Sequence, residues 1–325
     1  MTALGAAAAV TLVAITLYAI FGGADFGGGV WDLFASGPRR EAQRAQISDA
    51  IGPVWESNHV WLIFAWVALF TCFPLAYADV ATYLNAPLTI ALLGIVLRGA
   101  AFVFRNYASD NRALARSWTV VFGASSLLAP FFLGDAVGAL ATGRYDWTSP
   151  FALAVGLFDV ALCAQIAAVF LVRESPDRAL RDDFRRRAVR ATLAVWVAGL
   201  IPALLARGAE PQFFAALTSP TARIAIVAAM LLGVAVMLLV AGHRDTLARI
   251  AVGAEAVAVL GGWFGAQVPQ LVPGRYTLAS AAASPAMLQA FMIAAACGAV
   301  VLIPSLAYLF VVFKGPRRGA AAPDS

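Results

Sequence analysis

The chain has 325 residues, 62% of them hydrophobic and only 13% charged, with 23 Lys and Arg against 18 Asp and Glu and a formal net charge of +5. One soluble core cannot bury that much apolar surface, which excludes a soluble enzyme, a secreted disulfide domain and a disordered chain. The apolar runs are long and unbroken rather than short and alternating, which excludes a β-barrel and predicts an all-α polytopic membrane helix bundle; mean hydropathy is +0.81.

In chain order the apolar runs predict about nine transmembrane helices, near 5–27, 59–78, 82–104, 117–140, 150–172, 188–207, 222–242, 249–271 and 286–313. Each is long enough to cross about 30 Å of hydrocarbon. Counting alone divides this single membrane domain into a four-helix group at 5–140, a second at 150–271, a peripheral ninth helix at 286–313 and a disordered tail at 315–325. The N-terminus has no basic segment before its first apolar run, so no cleaved signal peptide is expected. Basic residues assign the orientation. The connections after spans one, three, five and seven, with the tail, carry 18 Lys or Arg; the N-terminus and the other connections carry 4. This asymmetry predicts an outside N-terminus and a cytoplasmic C-terminus. The densest basic stretch, VRESPDRALRDDFRRRAVR, is the fifth connection. The basic excess reads as topology and contact with anionic lipid, with no nucleic-acid partner.

Polar side chains inside apolar spans are functional candidates, because the bilayer tolerates them only when paired or hydrated. In span one, GGADFGGGVWDL places Asp25 and Asp32 two turns apart on one helix face, and Gly23 and Gly27 form a GxxxG pattern suited to a close helix crossing. Asp32 reads as part of an exit into the cytoplasm, Asp25 as a deeper group. In IGPVWESNHVWLI, Pro53 suits a helix start, so span two is expected to begin there. Glu56 and His59 are three apart, which lets them share a face; Asn58 adds an amide, and Trp55 and Trp61 suit the headgroup level. In LRGAAFVFR, Arg105 is expected to snorkel to the cytoplasm, while the deeper Arg98 requires a carboxylate or another acceptor. The predicted topology brings Asp25, Glu56, His59 and Arg98 into the cytoplasmic half as a candidate proton-pathway or ion-pair cluster.

Asp135, Asp159 and Glu255 lie in later spans and are expected to be paired inside the bundle, and Gly261 and Gly265 are expected to permit close packing. Cys72, Cys163 and Cys297 show no paired spacing and read as small buried apolar residues. The chain has two histidines, His59 and His243, and His243 falls at a loop mouth, so no haem is expected to be bound directly by this chain. No metal-ligand spacing, phosphate loop or nucleophilic triad is present, so no catalytic or metal residue is assigned.

Taken in order, GGADFGGGVWDL, AIGPVWESNHVWLI, LFTCFP and GIVLRGAAFVFR closely resemble subunit II of cytochrome bd-type quinol oxidases. The match is specific over the first third of the chain; beyond it, hydropathy, span number and the basic fifth connection agree. The resemblance implies a bacterial cytoplasmic (inner) membrane protein in a terminal respiratory oxidase that oxidises quinol and reduces oxygen to water. It further implies a heterodimer with a haem-bearing subunit I, which holds haems b and d, or b only. Quinone is then a substrate of the complex, membrane lipids are neighbours, and a small single-span subunit is left open. Asp25 and Glu56 fall on acidic positions of the family motifs, with a role in delivering protons; His59 falls on a position that varies among relatives. Two other classes remain open from the residues: a proton-coupled secondary transporter using Asp25, Glu56 and Arg98, and a purely structural membrane scaffold.

Overall fold

The polar residues that interrupt the apolar runs set where the helices start. Thr2, Asn111, Ser149, Asp177 and Ser219 each accept a hydrogen bond from a free backbone N–H in the first turn that follows. At Ser149–Pro150 and Ser219–Pro220 the capping residue precedes a proline whose missing N–H costs nothing at the first helical position. The computed structural model describes residues 2–108 and 111–314, leaving aside the side chains of 51–57, 106, 112, 209 and 310–314. The elements are α1 (Ala3–Leu33), α2 (Arg40–Cys72), α3 (Pro74–Tyr83), α4 (Asn85–Tyr107), α5 (Arg112–Ala141), α6 (Pro150–Glu174), α7 (Arg178–Ala209), α8 (Pro211–Leu217), α9 (Pro220–Ala241), α10 (Asp245–Gln267), β1 (Gln270–Val272), β2 (Tyr276–Thr277) and α11 (Pro285–Lys314). The fold is an all-α multi-pass membrane bundle, with one short antiparallel hairpin formed by β1 and β2.

Eight of the described helices are long and apolar enough to cross a membrane, and the pair 58–72 and 74–83 makes a ninth only if counted as one bent span. The second predicted run, 59–78, is therefore not a straight helix. α2 ends at Cys72, Phe73 takes φ −136° and ψ 59°, and α3 leaves at 119° to α2. Pro74 is the cause: its ring pushes the preceding residue out of the helical region. Mean hydropathy does not register that break. α2 also starts earlier than expected. It runs from Arg40 through Pro53 rather than beginning at that proline. The device at Phe73–Pro74 recurs at Glu210–Pro211, where φ −133° and ψ 64° end α7 and start the short α8. The order of two long helices, a short helix after an X–Pro break and two further helices thus occurs at α1–α5 and again at α6–α10.

α1 packs on α2, α5 and α6; α4 lies on α5, α6 on α7, and α9 on α10; α11 leans on α1 and α2. Apolar clusters close the two ends. At the hairpin end, Cys72, Phe73, Val80, Leu84, Ala139, Tyr145, Val272 and Leu288 pack together. At the opposite, basic end, Ile47, Phe122, Leu171, Val172 and Phe184 do so. Cys72 and Cys163 are buried as expected, but Cys297 is exposed on α11. Gly261 and Gly265 face open space, so the expected close packing is not there; the neighbouring Gly262 is the one set against α9, beside Ala225. An i, i+4 spacing identifies a face but not what lies opposite it.

Candidate functional site

The glycines of span one make the site possible. A Cβ added at Gly27 would overlap the Cys163 carbonyl of α6, and one at Gly29 would overlap the Ser126 hydroxyl of α5. A Cβ at Gly23 would come within 2.9 Å of Ile166. α1 is thereby pressed against both neighbours, and Asp25, between these glycines, is carried into the interior.

Asp25 and Arg98 are each 1% exposed. Arg98 Nη2 donates to Asp25 Oδ1 at 2.6 Å and to the Asp25 carbonyl at 2.9 Å, and its Nε donates to Ser126 Oγ at 3.0 Å. Asn58 Nδ2 donates to the other carboxylate oxygen, Asp25 Oδ2, at 2.9 Å. The guanidinium also lies 4.9 Å from the Phe122 ring centre and 5.5 Å from that of Phe26. Four helices, α1, α2, α4 and α5, thus each supply one member of a closed polar centre. Such a pair is tolerated in a low-dielectric interior only when most hydrogen-bonding positions are filled.

Two turns nearer the basic end lies a second layer. Asp32 is fully buried, accepts from Arg105 Nη1 at 3.1 Å and has Arg44 Nε 3.9 Å away. Asp32 is the penultimate residue of α1, at the end of span one as expected, but it is buried there rather than solvated, and Arg105 turns inward to it instead of snorkelling outward. A buried carboxylate draws the guanidinium inward. Arg44 Nε also donates to the Asp32 carbonyl at 3.3 Å. A row of ionisable groups therefore runs from Arg44 through Asp32 and Arg105 towards Arg98 and Asp25.

Of the candidates read from the sequence, Asp25 and Arg98 are in direct contact, and His59 follows Asn58 on α2 and is half-buried. Glu56 lies within α2, but its side chain falls outside the described residues. His243 is exposed at the α9–α10 turn, with φ 59°. Among the described residues no three His, Cys, Asp or Glu side chains are placed to hold a metal ion. Asp135 and Asp159 do not fit the expectation of pairing. Asp135 is fully buried, and among the described residues neither of its oxygens has a hydrogen-bond partner; Asp159 lines a cavity of about 290 Å³ with Tyr18, Phe26, Trp66 and Trp263. Glu255 is held by Gln165 Nε2 at 2.8 Å. Ser126, Gln165 and Thr192 were not singled out in the sequence, where the available signal was a lone small or amide side chain within an apolar helix.

At the basic end, Arg39 grips Asp183 with two bonds of 2.7 Å, Gln43 Nε2 donates to the same carboxylate at 3.0 Å, and Arg187 donates to Gln43 Oε1 at 2.6 Å. The start of α2 is thereby tied to the start of α7. Arg187 also lies over the rings of Trp31 and Phe184.

Residues 5–313 match the family model of cytochrome bd terminal oxidase subunit II. Among curated proteins, cytochrome bd ubiquinol oxidase subunit 2 of Bacillus subtilis is 30% identical over 241 residues, covering 69% of this chain and 70% of that protein. Cytochrome bd-I ubiquinol oxidase subunit 2 of Escherichia coli is 27% identical over 171 residues, covering 47% of this chain and 44% of that protein. Among solved structures, the bd oxidase from Geobacillus thermodenitrificans superposes with a TM-score of 0.81 at 22% identity, covering 96% of this chain and 99% of that one; at this identity the likeness concerns the fold.

Proposed function

Because the chain belongs to the cytochrome bd terminal oxidase subunit II family, we propose that it is the second subunit of a respiratory quinol oxidase. It pairs with a haem-bearing subunit I in the bacterial inner membrane, where quinol is oxidised and oxygen is reduced to water. In this reading the chain holds no haem itself. Haems b and d, or b only, belong to subunit I. Quinone is the substrate of the complex, and a small single-span subunit is an optional further partner. The basic end faces the cytoplasm, the N-terminus lies outside, and the two five-element series form two four-helix groups with α11 at the periphery.

The chain's own contribution is support and proton supply. Oxygen reduction consumes protons, and a buried centre needs a route for them. The observation that carries this reading is the ionisable row from Arg44 and Asp32 to Arg98 and Asp25, which leads from the basic end into the bundle. Asp25, Glu56 and His59 are its proton-exchanging members, and Arg98 is the charge partner that holds Asp25 in place.

Two measurements test the proposal. Purified from its host membrane, the chain is expected to bring a haem-bearing partner and its absorption spectrum; isolation alone and colourless would favour a transporter. Within the complex, Glu56→Gln is expected to keep the haem spectrum but slow turnover about 100-fold or more, in the usual range for a lost acid–base group, while Glu56→Asp keeps most activity. Normal turnover in Glu56→Gln would remove Glu56 from the route, and loss of haem would make its role structural.

A further inference from the structure

The second helix series holds a polar centre built like the first but without a cation. α6 supplies Gln165, α7 supplies Thr192 and Trp196, α9 supplies Gly233 and α10 supplies Glu255. Gln165 and Thr192 are fully buried and Glu255 is 2% exposed. Gln165 Nε2 donates to Glu255 Oε2 at 2.8 Å and to Thr192 Oγ1 at 3.1 Å, and the Thr192 hydroxyl donates to the Ala188 carbonyl at 2.9 Å. Among the described residues the Glu255 carboxyl takes part in no ion pair, and the side chain that holds it is the neutral Gln165 amide. In the first series Arg98 sits on α4 against Asp25; here the corresponding helix, α9, presents Gly233.

Two buried atoms of this centre have no hydrogen-bond partner among the described residues, the Gln165 Oε1 acceptor and the Trp196 Nε1 donor. They are neighbours of the same carboxyl. A Cβ added at Gly233 would stand 2.8 Å from Trp196 Nε1 and 2.9 Å from Glu255 Oε1, so the indole N–H and the carboxyl crowd one glycine Cα from two sides. Buried polar atoms without a protein partner are ordinarily satisfied by ordered water, which needs two to four polar neighbours. Here the indole donor and a carboxyl oxygen meet at Gly233, and the unpartnered acceptor belongs to the amide that already holds the same carboxyl. A carboxylate facing no cation in a membrane interior is the arrangement that a bound proton relieves.

We propose that Gln165, Thr192, Trp196 and Glu255 form a proton-binding site in the second helix group, in which Glu255 holds the proton and an ordered water links its carboxyl to the Trp196 indole. Exchange breaks the carboxyl O–H bond, with the proton passing to that water, and re-forms it from water. Gln165 positions the carboxyl through Nε2, and Thr192 fixes the amide. The site does not depend on the Asp25 route and stands whether or not that route carries protons.

Infrared spectroscopy of the purified assembly tests it. Wild type minus Glu255→Gln is expected to show one carboxylic-acid C=O band at neutral pH, and this band is expected to move to lower frequency after transfer to D2O. Absence of that carboxylic-acid band, with carboxylate bands in its place, would mean that Glu255 is ionised, and a band unmoved by D2O would mean that water does not reach it; either result overturns the proposal. Trp196→Phe keeps the ring and removes only the indole N–H, so it carries the test if Glu255→Gln fails to assemble. A shift of a single carboxylic-acid band in that variant supports the bridging water, and an unchanged spectrum overturns it.

Discussion

At Gly27 one methyl group would overlap a backbone carbonyl on the facing helix, and a carbonyl cannot rotate away as a side-chain tip can. Gly27→Ala is therefore expected to cost about 3 kcal/mol or more, at or above the upper end for overpacking, and to abolish recovery of folded protein. Gly265→Ala, with nothing within 4 Å of the added carbon, is expected to change stability by less than about 1 kcal/mol. The yield of folded protein in detergent, with thermal unfolding of Gly265→Ala against the parent, checks the contrast. The Asp25–Arg98 pair makes a second prediction at this scale. Removing one partner leaves an uncompensated buried charge, so Arg98→Gln is expected to destabilise by about 3–5 kcal/mol. Asp25→Asn combined with Arg98→Gln is expected to recover part of that loss, because no lone charge remains. A double-mutant cycle measures the coupling, and additive losses would show that the two residues act separately.

Among the elements, α3 shows most clearly what a sequence conveys and what it conceals. Most of the apolar runs were legible, because hydropathy is local. The sharp turn at Pro74 was not, because an average over the run 59–78 has no direction. Pro53, read as a helix start, lies inside α2, while Pro74 ends the same helix, so residue type alone did not rank the two prolines. Asp25 and Arg98 were legible as members of one four-residue cluster, but not as each other's direct partners. The inward turn of Arg105 was not, because it depends on Asp32 lying 73 residues away. α3 is anchored by Asp79, which accepts from the Tyr145 hydroxyl at 2.9 Å and from Arg275 Nη1 at 3.0 Å, joining α3 to the α5–α6 connection and the hairpin. Burial, with the Asp79 hydrogen bond added, holds the Tyr145 phenol above its ordinary pKa. A folded-state value raised above the unfolded one contributes stability that is complete below the unfolded pKa of about 10 and is lost as pH rises beyond it. Melting temperature is thus expected to fall above about pH 10, with a smaller fall in Tyr145→Phe; equal alkaline losses would mean that Tyr145 is not the group responsible.

For the whole molecule, the Arg39–Asp183 and Arg187–Gln43 bonds put the first and fifth connections at one end, and the Asp79 contacts put α3, the α5–α6 connection and the hairpin at the other. Reporter fusions in the second and fifth connections are expected to read outside and cytoplasm respectively, and the reverse would invert the molecule in the membrane. The α1–α6 crossing also bears on how the chain is made. The partners of Asp25 on α2, α4 and α5 all lie within the first 141 residues, so its polar centre can close early in synthesis. Gly23 and Gly27 have no such early cover, since Ile166 and Cys163 reach the membrane only with α6. Until then the nascent protein carries a bare glycine stripe on its oldest helix. Biogenesis thus has an intermediate that is electrostatically finished but sterically open, and a ribosome stalled before α6 would leave a product whose exposed stripe marks it for quality control.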